Sequence, residues 1–120
     1  MTPGKIWPAA DKVLGAVAVA GLCAWICYLY QFAMPSREAR RLVSRSNELF
    51  ATHDYAGATV DARMAVRLDP NSAGARNCLA RNLYQSGDKA GARREWLKCI
   101  DLGNSDTANQ ARAYMKKYHL

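Results

Sequence analysis

Apolar residues are arranged in two different ways along this chain. From Val13 to Met34 they are continuous, with Gln31 the sole polar member. From Ser36 onward they recur at intervals of three and four, the spacing that lines one side of an α-helix. The continuous stretch, VLGAVAVAGLCAWICYLYQFAM, makes a helix of roughly 33 Å at about 1.5 Å per residue, which matches a hydrocarbon core of about 30 Å. A single membrane crossing is therefore predicted over residues 13–34. A cleavable signal peptide is the competing reading, but such peptides carry apolar cores of about 7–15 residues and a small-residue cleavage site. Phe32-Ala33-Met34-Pro35 is a poor match to one. Trp25, Tyr28, Tyr30 and Phe32 crowd the downstream end and Trp7 precedes the upstream end, as amphipathic rings do at membrane–water boundaries.

Pro35-Ser36 is expected to end the span and restart a helix, since proline fits the first helical turn and serine is a good N-cap. The periodic region predicts helices at about 36–52, 55–68, 72–86, 89–102 and 106–118, and no strand. Asp54 and Asp88 are placed to N-cap the second helix of each pair, Gly87 and Gly103 supply left-handed turns, and Pro70 closes the first unit. The fold class is all-α: a single transmembrane helix followed by a short helical solenoid of about five helices. The organisation is an N-terminal segment 1–12, the span 13–34 and a helical domain 36–120.

Composition narrows the function. A chain of 120 residues, half of them hydrophobic, is neither a large multidomain enzyme nor a disordered tail. Four cysteines with no CxxC and no Cys/His cluster argue against a disulfide scaffold, a covalently attached haem and a structural zinc site, so no metal or cofactor is expected. His53 and His119 have no evident carboxylate or cysteine partner, so no catalytic residue is expected either. The balance of 17 basic against 10 acidic side chains gives +7. Arg63, Arg67, Arg93, Arg94 and Lys98 sit on exposed helix positions without interleaved aromatics, and no nucleic-acid partner is expected. Lys5, Lys12 and the terminal amine precede the span, against Arg37, Arg40, Arg41 and Arg45 after it; the larger count places the C-terminal domain in the cytoplasm. Those four arginines are expected to face anionic headgroups or an acidic neighbour.

Within the span, Ala16, Ala20 and Ala24 recur every four residues with Cys23 and Cys27 beside them, leaving one side nearly all small atoms. In lipid, where apolar burial against a neighbour gains little, such a face lets another helix pack closely. The two cysteines read as small apolar filler.

A repeat is visible in the helical domain. Asp54-Tyr55-Ala56-Gly57-Ala58 aligns with Asp88-Lys89-Ala90-Gly91-Ala92 at an offset of 34 residues. With Pro70 as the terminal proline of the first unit, these residues resemble the tetratricopeptide repeat, a helix-turn-helix unit. Ala58 and Ala65 fall on its small positions, Tyr55 on its aromatic, and Leu42 and Leu49 on large first-helix positions. Leu79, Ala80, Leu83, Gly87, Ala92, Trp96 and Cys99 fill the corresponding places of a more typical second copy. Departures are Ala62 where a bulky residue is usual, Arg76 at an aromatic position, and Asn104 in place of a second proline. The resemblance covers roughly residues 39–105, with repeats at about 39–72 and 73–106. Such repeats bury their faces only against neighbours, so the fifth helix is expected to act as a cap.

The resemblance also implies a concave groove lined by first helices. It places Arg40, Asn47, Phe50, Asn77, Arg81 and Tyr84 there, beside Val43, with Met115 and Tyr118 extending it. Two arginines and two asparagines suit an extended peptide with an acidic side chain or free C-terminal carboxylate. Val43 stands where carboxylate-clamp members place a basic residue. Two functions follow as expectations: an accessory or scaffold subunit that packs into a larger membrane protein complex, or a membrane-tethered adaptor or co-chaperone capturing client peptides. From another class, a thiol redox protein would use Cys78 and Cys99.

Overall fold

The computed structural model describes residues 7–103 and 105–120, and every regular element among them is an α-helix. These are α1 (Trp7–Ala51), α2 (Tyr55–Leu68), α3 (Ala73–Gln85), α4 (Lys89–Asp101) and α5 (Ser105–Lys117). Lys5, Asn104 and the side chain of Trp7, all used above, lie outside what is described. The chain divides into two compact units, Met1–Met34 and Pro35–Leu120.

The predicted break at Pro35-Ser36 is absent: α1 continues from Trp7 to Ala51 with Pro35 inside it. Proline withholds one backbone donor, the one that would reach the Gln31 carbonyl, at a cost of about 3 kcal/mol. Favourable helix formers on both sides supply the remaining hydrogen bonds, so one missing bond does not end the helix. Ser36 is consequently a helix-interior residue and not an N-cap.

In the first unit the helix is exposed on every side. Val13, Leu14, Val17, Val19, Leu22, Trp25, Tyr28 and Phe32 all show more than half of their surface. One helix is thus long and apolar enough to cross a membrane.

In the second unit the remainder of α1 and helices α2–α5 form a solenoid-like stack in which local chemistry sets each boundary. Asp54 and Asp88 cap α2 and α4 by accepting from the Gly57 and Gly91 amides at 3.0 and 2.8 Å. The carboxylate folds so tightly over this turn that a Cβ on Gly57 would come within 2.7 Å of Asp54 Oδ2, which explains a glycine three residues into the helix. Ser72 caps α3 through the Ala75 amide. Gly103 has a φ of +76°, as its predicted left-handed turn requires.

Three helices end alike. His53, Gly87 and His119 adopt left-handed backbone, and the next amides, of Asp54, Asp88 and Leu120, reach back to the carbonyls of Leu49, Leu83 and Met115. α5 therefore terminates as α1 and α3 do. Its outward residues Asp106, Asn109, Arg112 and Lys116 are polar and exposed, so it can close the stack without a further layer.

The core is centred on Trp96, fully buried with Ala62, Ala80, Ala92, Cys99 and Ala111 around it. Its ring lies near-parallel to Tyr114 at 5.6 Å and Tyr118 at 6.0 Å, and Tyr118 stacks on Tyr84 at 3.8 Å. Both departures from the repeat pattern that fall on described residues have places in this packing. Ala62 is fully buried in the main core. Arg76 replaces an aromatic by bridging elements: it donates to the Pro70 carbonyl and pairs with Glu95 at 2.9 Å, both side chains 15% exposed.

Candidate interaction groove

Residues of α1, α3 and α5 adjoin along one side of the stack, with Asn47 meeting Arg81 and Asn77 meeting Gln110. A groove of about 270 Å³ opens there, lined by Val43 and Asn47 of α1, Asn77, Cys78 and Arg81 of α3, and Thr107 and Gln110 of α5. The structure brings Asn47, Asn77 and Arg81 together as its polar rim. Arg40 lies beside a neighbouring hollow with Ala39, Val43, Asp69 and Ser72. Phe50 packs under the Arg81 guanidinium, 4.2 Å from ring centroid to Cζ. Tyr84, Tyr118 and Met115 belong to the packing around Trp96 and do not line the groove.

The rim is internally bonded. Arg81 Nη2 donates to Asn47 Oδ1. Asn77 Oδ1 accepts from Trp96 Nε1 at 2.9 Å while its Nδ2 donates to Gln110 Oε1 at 3.3 Å. An incoming carboxylate or peptide group would compete with these bonds for Asn47 and Asn77, while Arg81 keeps further N–H groups, and its Nε is the buried donor left without a partner among the described residues.

Beneath the rim lies a polar cluster that sequence reasoning missed. Ser46 is fully buried; its Oγ donates to the Ala58 carbonyl at 2.7 Å and accepts from Asn82 Nδ2 at 2.8 Å. The Cys78 thiol approaches the same Oγ at 3.3 Å. Asn82 is fully buried too, and its Oδ1 has no partner among the described residues. A signal existed: Ser46 sits between Leu42 and Leu49, and Asn82 beside Leu79, on inward helical spacing. Thr107 and Gln110 carried no such signal.

The cysteines face different neighbours. Cys78 meets α1, whereas Cys99 Sγ points to the Ala73 carbonyl at 3.4 Å and the Thr107 carbonyl at 3.8 Å; all four cysteines are free thiols. Burial pushes the Cys99 thiol up from its ordinary pKa, outweighing the opposing pull of Arg76. Among the described residues no three His, Cys, Asp or Glu side chains gather as a metal site.

The remaining predicted surfaces are not covered by other parts of the chain among the described residues. Arg37, Arg40, Arg41 and Arg45 are exposed; Arg45 lies 3.2 Å from the largely buried Asp61 carboxylate and Arg41 3.9 Å from Glu38. Ala16, Ala20, Cys23, Ala24 and Cys27 are exposed on α1, and nothing lies within 4 Å of a Cβ built on Gly15 or Gly21 beside them. No family model, curated protein or solved structure matches the chain.

Proposed function

We propose that this chain is a non-catalytic, single-pass membrane protein of the tetratricopeptide-repeat type, acting as an accessory or scaffold subunit that packs into a larger membrane protein complex. One observation carries the proposal. The apolar part of α1 is uncovered around its whole circumference among the described residues, while a well-packed helical stack follows it in the chain. Such a surface needs lipid or another hydrophobic helix, and its small-residue side, Ala16, Ala20, Cys23, Ala24 and Cys27, suits close packing against a helix of another subunit. The arginine-rich start of the second unit supports placing that domain on the cytoplasmic side, at anionic headgroups or an acidic neighbour.

Extraction in mild detergent followed by native-gel separation and mass spectrometry tests this. A stable, stoichiometric complex is expected; a lone chain, or turnover of a substrate by the isolated protein, overturns the reading. The groove favours a second reading, an adaptor that captures acidic or C-terminal peptides through Arg81 and the two asparagines. Substoichiometric clients, lost on Arg81→Glu, would be its signature.

A further inference from the structure

The two repeats place equivalent side chains on the outer faces of α2 and α4, yet fill them differently. Ala56, Val60 and Met64 form an i, i+4, i+8 stripe on α2, with Val60 64% and Met64 44% exposed. Thirty-four residues on, the same stripe of α4 reads Ala90, Arg94 and Lys98, all exposed. The fold thus accepts charge at these positions and has no packing use for apolar side chains there. On α2 it exposes them nonetheless.

Arginines border the stripe on both sides. On the helical wheel of α2, Arg63 and Arg67 flank it on one edge, and among the described residues neither has an ion pair. On the other edge Asp61 turns toward α1 and holds Arg45, whose side chain is 69% exposed. Asp61 and Arg45 therefore neutralise one another, and the face is apolar in the middle and cationic along the rim formed by Arg63 and Arg67.

We propose that the outer face of α2 is a docking surface for an acidic amphipathic helix of a neighbouring subunit. The partner's apolar residues at i and i+4 would lie over Val60 and Met64, and its carboxylates would meet Arg63 and Arg67. This rests on the accessory-subunit reading and names the surface through which that subunit would hold its neighbour. A second copy of this chain is a poor occupant, because it sets arginines against arginines. A lipid surface is a poorer fit as well, since helices that lie in the interface carry Trp, Phe or Leu on their apolar side and this one offers valine and methionine. The stripe spans about 12 Å of helix axis, enough to engage roughly two turns of a partner.

A photo-crosslinking residue at position 60 of the full chain, activated in the native membrane, tests this directly, with position 94 as the matched control. Adducts at 60 are expected with an acidic amphipathic segment of a co-purifying subunit, about tenfold or more above those at 94. Adducts with lipid, with a second copy, or with a segment lacking carboxylates overturn the proposal, as does equal yield at 60 and 94. Val60→Arg with Met64→Lys, which imitates the outer face of α4, is expected to lower recovery of that subunit about tenfold or more at unchanged melting temperature. Unchanged recovery of a stable complex refutes the α2 face alone, whereas a wild-type chain that migrates by itself removes the accessory-subunit reading and this proposal with it.

Discussion

Ser46→Ala probes how the first unit is locked to the second. Ser46 is fully buried and its hydroxyl serves two helices at once, donating to Ala58 of α2 and accepting from Asn82 of α3. Alanine removes only one oxygen but leaves the Asn82 Nδ2 donor with nothing nearer than the Cys78 sulfur at 3.8 Å, while its own carbonyl oxygen has no partner among the described residues. A buried donor left so poorly satisfied costs about 1–3 kcal/mol, and the lost bond to Ala58 adds about 1, so a destabilisation of about 2–4 kcal/mol is expected. That is a large part of a small domain's stability of about 5–15 kcal/mol. Asn82→Leu alone is expected to cost about 1–2 kcal/mol by the same reasoning. In the Ser46→Ala background it should instead restore about 1 kcal/mol or more, because no polar group is then left waiting for a partner. Urea titration of the full chain in detergent, followed by far-UV circular dichroism, reads all four variants. The apolar helix stays folded in the micelle and contributes a constant signal. If Asn82→Leu is equally harmful in both backgrounds, the buried pair is not coupled and the reasoning fails.

Other outcomes follow from the same structure. Trp96→Ala deletes the fully buried centre of the aromatic stack and should cost about 3–5 kcal/mol, with near-UV dichroism of the tyrosines collapsing at lower denaturant. Gly87→Val forces a β-branched residue to a φ of +92° and should cost about 1–3 kcal/mol, measured as a shift in urea midpoint without change in slope. Ala20→Leu, on an exposed small-residue side, should release the chain from its complex while the thermal transition of the helical domain is unchanged; intact co-purification would dispose of the packing face. Cys99 has a folded pKa raised above its unfolded value by burial, so the fold holds its proton more tightly. The associated stability is present below the ordinary thiol range and is lost as pH rises through the raised folded value. Alkaline unfolding should accordingly be milder in Cys99→Ala than in the native chain, once each is compared with its own stability at neutral pH.

Much of the helical domain was legible because helix ends are written in local chemistry. An aspartate three residues before a glycine folds over its own backbone wherever it stands, so Asp54 and Asp88 marked the starts of α2 and α4 to the residue. Gly87 and Gly103 marked stops for the same reason. His53 and His119 adopt the same left-handed turn without glycine, and there the sequence was silent, since the conformation is enforced by the hydrogen bonds around it. Pro35 was misread for the converse reason: a local breaker was outweighed by the helix on both sides.

Periodicity, caps and the apolar run are properties of neighbouring residues, so sequence alone determined that the chain is helical, that it repeats, and that one stretch is long and apolar enough for a bilayer. Tertiary structure decided which polar groups would spend themselves on one another. Asn47 and Arg81 are far apart in the chain and equally exposed to either fate by pattern, yet packing of α1 against α3 makes them partners across the groove. It likewise turned Arg76 toward Glu95 and left Val60 and Met64 facing outward. Helical spacing tells which side of a helix a residue occupies; only the assembled stack determines what waits on that side.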